Sequence, residues 1–186
     1  LWRNEEGLLT ENYGEARRIN AGSPEPLWTG GFNTELSWRG ISLGIQLEAR
    51  YGNKVLNQDR SLFEADGSYG DSNIWKGAMN YWKKPGDTNV LPKPVYNNSS
   101  NSSAISTRYL EDGSYLRIKD ITLAYSLPSK WTKKALMSGV RIYASALNLY
   151  TFHNMNYWDP EHGTSGATII SYPMTRSMIV GVDITF

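Results

Sequence analysis

Residues 30–52, GGFNTELSWRGISLGIQLEARYG, decide the fold. Phe32, Thr34, Leu36 and Trp38 alternate with Asn33, Glu35, Ser37 and Arg39. Beyond Gly40, Ile41, Leu43, Ile45, Leu47, Ala49 and Tyr51 alternate with Ser42, Gly44, Gln46, Glu48 and Arg50. A period of two is the mark of a strand. The connector Arg39-Gly40 suits a two-residue hairpin turn, because glycine accepts the positive φ that such turns demand. That turn fixes the register: Trp38 should face Ile41, Leu36 face Leu43, Thr34 face Ile45 and Phe32 face Leu47. All four pairs fall on one apolar or neutral face, while Ser37–Ser42, Glu35–Gly44 and Asn33–Gln46 share the other. Half of a soluble β-sandwich would also carry such a hairpin. The second strand, however, alternates for about 11 residues, close to the about 9–11 that cross a bilayer and about twice the usual globular strand. Glu48 and Arg50 on its polar face suit a wet lumen as well as bulk solvent.

The same alternation recurs downstream. In SYLRIKDITLAYSLP (114–128), Ile121, Leu123, Tyr125 and Leu127 share a face until Pro128, whereas Leu116 and Ile118 are out of phase and imply a bulge or a strand end. In VRIYASALNLYTF (140–152), the even set Val140, Ile142, Ala144 and Ala146 competes with Tyr143, Leu147 and Leu149. We place the even set outward because that leaves Arg141 and Ser145 inward. In SMIVGVDITF (177–186), Met178, Val180, Val182, Ile184 and Phe186 lie on one face, interrupted only by Ile179.

The connectors are of two lengths. Arg39-Gly40 and 128–139 are short; 52–113 and 152–173 are long, and a connection that long in a compact protein is usually functional. Short and long alternate along antiparallel strands, so the long ones emerge at one end, as in outer-membrane barrels. Trp38 and Tyr125 fall near the short-turn end and Tyr51 and Tyr150 near the long-loop end, where two aromatic girdles would lie. Within the first long connector, SNIWKGAMNYWKK (72–84) is expected to form a short helix capped by Ser72 or Asn73, and the Asn/Ser tract 97–103 is expected to be mobile.

Composition narrows the function. The chain has 186 residues, mean hydropathy −0.48, 12% aromatic residues, no cysteine and a formal net charge of +1. The small charge gives nucleic acid no electrostatic footprint, and the missing cysteines exclude disulfides, thiolate metal sites and a Cys nucleophile. A polar average is no obstacle to a barrel, since half of each strand faces water. The sequence opens LWRNEEG, without Met or a signal peptide, and is expected to be the end of a longer chain.

Five segments in this order resemble the C-terminal part of the SusC/RagA family of TonB-dependent outer-membrane transporters. They are GSPEPLWTGGFNTELSWRGISLGIQLEARYGNKV, SYLRIKDITLAYSLP, VRIYASALNLYTF, WDPE and SYPMTRSMIVGVDITF. The resemblance implies an all-β fold: about five antiparallel strands, the C-terminal segment of a transmembrane barrel of about 22 strands. It divides the chain into an outer loop segment (1–28), a barrel hairpin (29–52), a long extracellular loop (53–113) and a barrel strand (114–128). A periplasmic turn (129–139), a strand (140–152), a second extracellular loop (153–172) and a C-terminal strand (173–186) follow. It further implies import of oligosaccharides or peptides across the outer membrane of a Gram-negative bacterium, with a SusD-like surface lipoprotein as lid. TonB would act through regions absent here, the rest of the barrel and its plug would complete the protein, and lipid would cover the apolar face. Phe186, Ile184, Val182, Val180 and Met178 resemble the signal read by the barrel assembly machinery. Relatives often carry a calcium-loop-like acidic segment before the GxPxP motif, but 1–26 holds only scattered acids, so no metal and no cofactor are expected. Leu147 stands where relatives often have Gln, which implies a less polar lumen face on that strand.

Other chemistry is weaker. His153, Asp159, Glu161 and His162 match no metal spacing and read as solvated loop residues. No serine sits in a nucleophile elbow. Glu35 and Glu48 read as partners of Arg39 or Arg50 rather than as a glycosidase pair. The protein is therefore not read as an enzyme, and the alternative is a soluble all-β carbohydrate-binding module. The candidate contacts to ligand or lid are the loop aromatics Trp75, Tyr81, Trp82, Tyr157 and Trp158, because such rings supply large rigid contact area at low entropic cost.

Overall fold

A computed structural model describes residues 1–68, 73–88, 90–98, 100–161, 166–168, 172 and 174–186. The chain forms two compact units, one built from Pro24–Lys54, Asp112–Thr164 and Tyr172–Phe186, the other from Leu1–Ser23, Val55–Glu111 and Ser165–Ser171.

The first unit is an antiparallel meander of five strands in sequence order: β1 (Trp28–Trp38), β2 (Ile41–Tyr51), β3 (Tyr115–Ser126), β4 (Gly139–His153) and β5 (Ser177–Thr185). β1 and β2 pair in the expected register, Trp38 with Ile41 and Phe32 with Leu47. Arg39 and Gly40 both take positive φ, 48° and 86°, the geometry of a twist-matched hairpin turn. A Cβ on Gly40 would lie 2.8 Å from the Ser126 carbonyl oxygen, so packing as well as φ demands glycine there.

Register carries one apolar row across every strand: Leu36 opposite Leu43, Leu43 opposite Leu123, Leu123 opposite Ala144, Ala144 opposite Val180. The out-of-phase Leu116 and Ile118 rejoin this face through a bulge. Gln46 pairs with Asp120 but Leu47 with Ile118, which leaves Lys119 as the extra residue. β4 keeps its even residues on the apolar face throughout, since Ile142 and Ala146 oppose Tyr125 and Ile121 while Tyr150 and Phe152 oppose Ile118 and Leu116. Leu36 is 61% exposed on this face, Leu123 53% and Val180 78%, so among the described residues it is left largely uncovered.

The second unit, which we call the loop unit, has a different core. The short strand Lys54–Asn57 runs into helix α1 (Gln58–Glu64), whose first turn is capped by the Asn57 side chain accepting from the Arg60 N–H at 3.2 Å. Leu110–Asp112 and Ala167–Thr168 flank that strand in a small sheet. Asn57, Asp59, Tyr109 and Thr168 are all 0% exposed, so the interior is largely polar. Arg60 reaches Glu64 at 2.8 Å and Glu111 at 2.7 Å; Arg108 grips both oxygens of Asp66 at 2.5 and 2.9 Å. Burial alone would lower the Arg60 and Arg108 pKa values, but the carboxylates beside them raise both.

Three expectations for the long connectors need correction. The 72–84 helix is only a 3₁₀ turn, Lys76–Met79, with no side-chain cap from the preceding Trp75. Gly77 and Asn80 are poor helix formers, and Trp75 is diverted to stack on Phe63 at 4.9 Å. Ser72, the alternative cap, lies outside the described residues. Described residues of the Asn/Ser tract are hydrogen-bonded in turns: Ser102 donates to Asp66 at 2.8 Å, Ser100 donates to Asn98 at 2.7 Å, and Asn97 and Asn101 take left-handed φ. Helix α1 lies in a segment where no helix was expected.

Candidate functional site

The opposite face of the sheet holds its charged residues. β3 and β4 bring Arg117 against Thr151, whose hydroxyl accepts from Nε at 2.9 Å. From the loop after β4, Asp159 and Glu161 of the WDPE segment each accept from one terminal nitrogen of the Arg117 guanidinium. Arg117 is 0% exposed. The bulge aims Lys119 the same way, 3.2 Å from both Glu48 and Glu161, and Tyr115 donates to Glu48 at 2.8 Å. Lower on this face Thr122 and Ser145 donate to the two oxygens of Asp120 at 2.8 and 2.9 Å. The cluster is thus a clamp that fastens the 155–161 loop to the sheet, since each terminal nitrogen of the buried guanidinium finds a carboxylate and Nε finds a hydroxyl.

Two readings of these acids are corrected. Asp159 and Glu161 are not solvated loop residues; they are the anions that neutralise Arg117 and Lys119. Glu48 pairs with Lys119 and Tyr115, while Arg50 turns onto the Tyr115 ring, 5.7 Å from its centroid. Sequence reasoning missed Arg117 and Lys119 because Leu116 and Ile118 masked the phase of the strand; the signal was Arg-x-Lys facing a later Asp-x-Glu. Among the described residues no group of three or more His, Cys, Asp and Glu has metal-binding geometry; His162 lies outside them.

The five candidate aromatics fall in both units. In the loop unit, Trp75 stacks on Phe63, Tyr81 carries Lys83 over its ring at 5.4 Å, and the Trp82 N–H donates to the Leu91 carbonyl at 2.8 Å. In the sheet unit, Tyr157 is 60% exposed at a left-handed turn of φ 71°, next to the half-buried Trp158. The strand carrying Met178, Val180, Val182 and Ile184 puts all four on the uncovered apolar face, followed by an exposed Phe186.

An open antiparallel sheet, apolar and bare on one face and charged on the other, defines a segment of a large β-barrel wall. Solved structures agree. The chain superposes on the RagAB peptide importer in its open-open state with a TM-score of 0.79 and 28% identity, covering 98% of this chain and 20% of that one. For the closed-closed state the values are 0.77 and 29%, over 97% and 19%. Two TonB-dependent receptors of Formosa agariphila, P3 and P26, are 30% and 27% identical over 182 and 179 residues. These alignments take in 92% and 89% of this chain but 17% of either receptor, so the chain spans about a sixth of the curated relatives it matches. No family model matches. Sequence and fold together support a segment of a SusC/RagA-family TonB-dependent receptor.

Proposed function

We propose that the protein containing this segment is a TonB-dependent importer in the outer membrane of a Gram-negative bacterium, and that these strands form part of its barrel wall. The observation that carries the reading is the apolar row from Leu36 to Val180, which runs across five strands with Leu36, Leu123 and Val180 exposed and is backed by a charged face. Lipid would cover the first face and the wet lumen the second. A soluble carbohydrate-binding sandwich would bury that row, so the alternative is not favoured. Residues 1–28, 53–113 and 153–172 would lie outside the cell and 129–139 in the periplasm. A SusD-like lipoprotein would rest on the outer loops; the remaining barrel, the plug and the TonB contact would come from other parts of the protein. Between oligosaccharides and peptides, likeness to a peptide importer favours peptides. No catalysis is proposed.

Trp75, Tyr81, Trp82, Tyr157 and Trp158 would contact the ligand or the lid, and the apolar ladder ending at Phe186 would be read during barrel assembly. Replacing Phe186 with Asp should lower insertion while leaving synthesis intact; normal surface levels would remove that role. The reading as a whole is tested by fractionation and uptake. The full-length protein should require detergent for extraction and should lose peptide uptake when the proton-motive force is collapsed. A monomer that stays soluble without detergent and keeps its β-sheet signal would overturn it.

A further inference from the structure

The loop unit contains a cavity of ≈ 1130 Å³ that the barrel reading leaves unused. Four arginines are among its lining residues: Arg3, Arg17, Arg18 and Arg108. Among the described residues no lining side chain is acidic. Arg108 is already neutralised from behind by Asp66 and Glu64, but Arg17 and Arg18 are exposed and make no ion pair with a described residue. Arg3 spends one guanidinium N–H on the Gly7 carbonyl at 3.1 Å, and its own carbonyl accepts from the Arg17 N–H at 2.8 Å, which holds the segments carrying Arg3, Arg17 and Arg18 side by side. A wall with this surplus of fixed positive charge favours a ligand that brings carboxylates, because guanidinium and carboxylate meet through paired charge-assisted hydrogen bonds.

The rest of the lining says what kind of anion. Ile19, Leu56, Ile105 and Leu110 supply aliphatic surface, which takes apolar side chains, while Asn4, Ser106 and Thr107 add neutral polar groups that can meet a peptide backbone. Trp2 and Tyr13 meet edge to face at 4.9 Å, and the Tyr13 hydroxyl donates to the Ile105 carbonyl at 2.8 Å. That pair is therefore fixed as wall and does not present two open faces to a sugar ring. Alternating carboxylates and aliphatic side chains match an acidic peptide. We propose that this cavity binds peptides bearing Asp or Glu among apolar residues; the inference rests on reading the protein as an importer and names the class of peptide it selects.

The test uses the full-length transporter with its own lipoprotein in detergent. The probes are a labelled peptide of alternating Leu and Glu, the same peptide with Gln for Glu, and an oligogalacturonate. The double variant Arg17→Gln/Arg18→Gln alters two exposed side chains and should assemble normally. It should bind the Glu peptide about tenfold more weakly, the effect of losing one charge-assisted contact, and bind the Gln peptide unchanged. Added salt should weaken only the Glu peptide. Equal affinity for the Glu and Gln peptides, or undiminished Glu-peptide binding in the variant, would overturn the proposal. So would arginine-dependent binding of the oligogalacturonate without binding of the Glu peptide, which would make the ligand a glycan. Binding decides the cavity, while energised uptake of the uncharged peptide decides the importer reading, so the two fail separately.

Discussion

The sheet unit and the loop unit are organised around opposite interiors. In the sheet unit the ladders satisfy the backbone, and the apolar side chains point away from the unit, with Leu36, Leu123 and Val180 left bare. Side-chain burial there is concentrated on the charged face, around Arg117. In the loop unit the helix α1, the Arg60 and Arg108 ion pairs and the Asn57–Thr168 contact at 3.4 Å form a core of polar groups. On the proposed barrel reading the wall would leave its apolar surface to lipid, whereas a loop unit in water would have to bury something; what the loop unit buries is charge with its partners. Such a core contributes specificity of geometry more than net stability, because desolvation offsets much of the Coulombic gain.

The largest effect should come from Arg117, the one buried charge among the described residues of the sheet unit. Arg117→Met leaves Asp159 and Glu161 without their guanidinium, a loss of roughly 3–5 kcal/mol for breaking a buried pair. The 155–161 loop should come away from the sheet, so protease nicking of full-length protein at that loop should rise sharply while the 129–139 connector stays resistant. Unchanged nicking would mean that the clamp does not hold the loop, and the contrast between the two units would lose its strongest member.

Next comes the apolar face. Leu47→Arg places a cation where we read lipid, at a cost of about 2–4 kcal/mol near the bilayer midplane, whereas Gln46→Arg points to the charged face and should be tolerated. Heat-modifiability of the full-length barrel reports assembly. Equal defects from both substitutions would mean that the two faces meet the same medium.

The sheet was legible because a period of two is read directly off the chain, and because Arg39-Gly40 permits only one register. Even the ambiguous strand 140–152 resolves once Ile118 and Leu116 are re-phased by the Lys119 bulge. What sequence could not reveal is which distant acid meets a given base: Asp159 lies 42 residues after Arg117, and Asp66 lies 42 residues before Arg108. Pairing at that distance leaves no periodic trace. Helix α1 was hidden for a related reason, since QDRSLFE carries its buried groups as Asp59 and Glu64 rather than as an apolar stripe.

A smaller effect should follow from Trp75→Ala. Its stack on Phe63 is worth about 0.5–1.5 kcal/mol beyond area burial, so the loop unit should loosen without unfolding. Uptake and lid co-purification then sort its role. Uptake lost with the lid retained marks a ligand or gating residue, loss of both marks the lid interface, and no change in either leaves Trp75 a packing residue.

The smallest effect at neutral pH should be that of Tyr109→Phe, and it sharpens the contrast most finely. Tyr109 is 0% exposed between two arginines, Arg108 at 5.0 Å and Arg60 at 5.8 Å from its ring, and its buried hydroxyl has no hydrogen-bond partner among the described residues. Removing that hydroxyl leaves both cation–π contacts in place and should change stability by no more than about 1 kcal/mol. The difference appears at high pH. Burial pushes the Tyr109 phenol up from 10.0 to about 12, so its neutral form is favoured in the folded unit. A group whose folded pKa is raised gives stability that is complete below the unfolded value and is lost as pH climbs toward the folded one. Wild-type protein should therefore become easier to nick within 58–64 as pH rises from about 10 to about 12, and Tyr109→Phe should lack that part of the rise. If both proteins open along the same pH curve, the Tyr109 phenol does not ionise against a closed polar core, and the interior assigned to the loop unit is wetter than its geometry indicates.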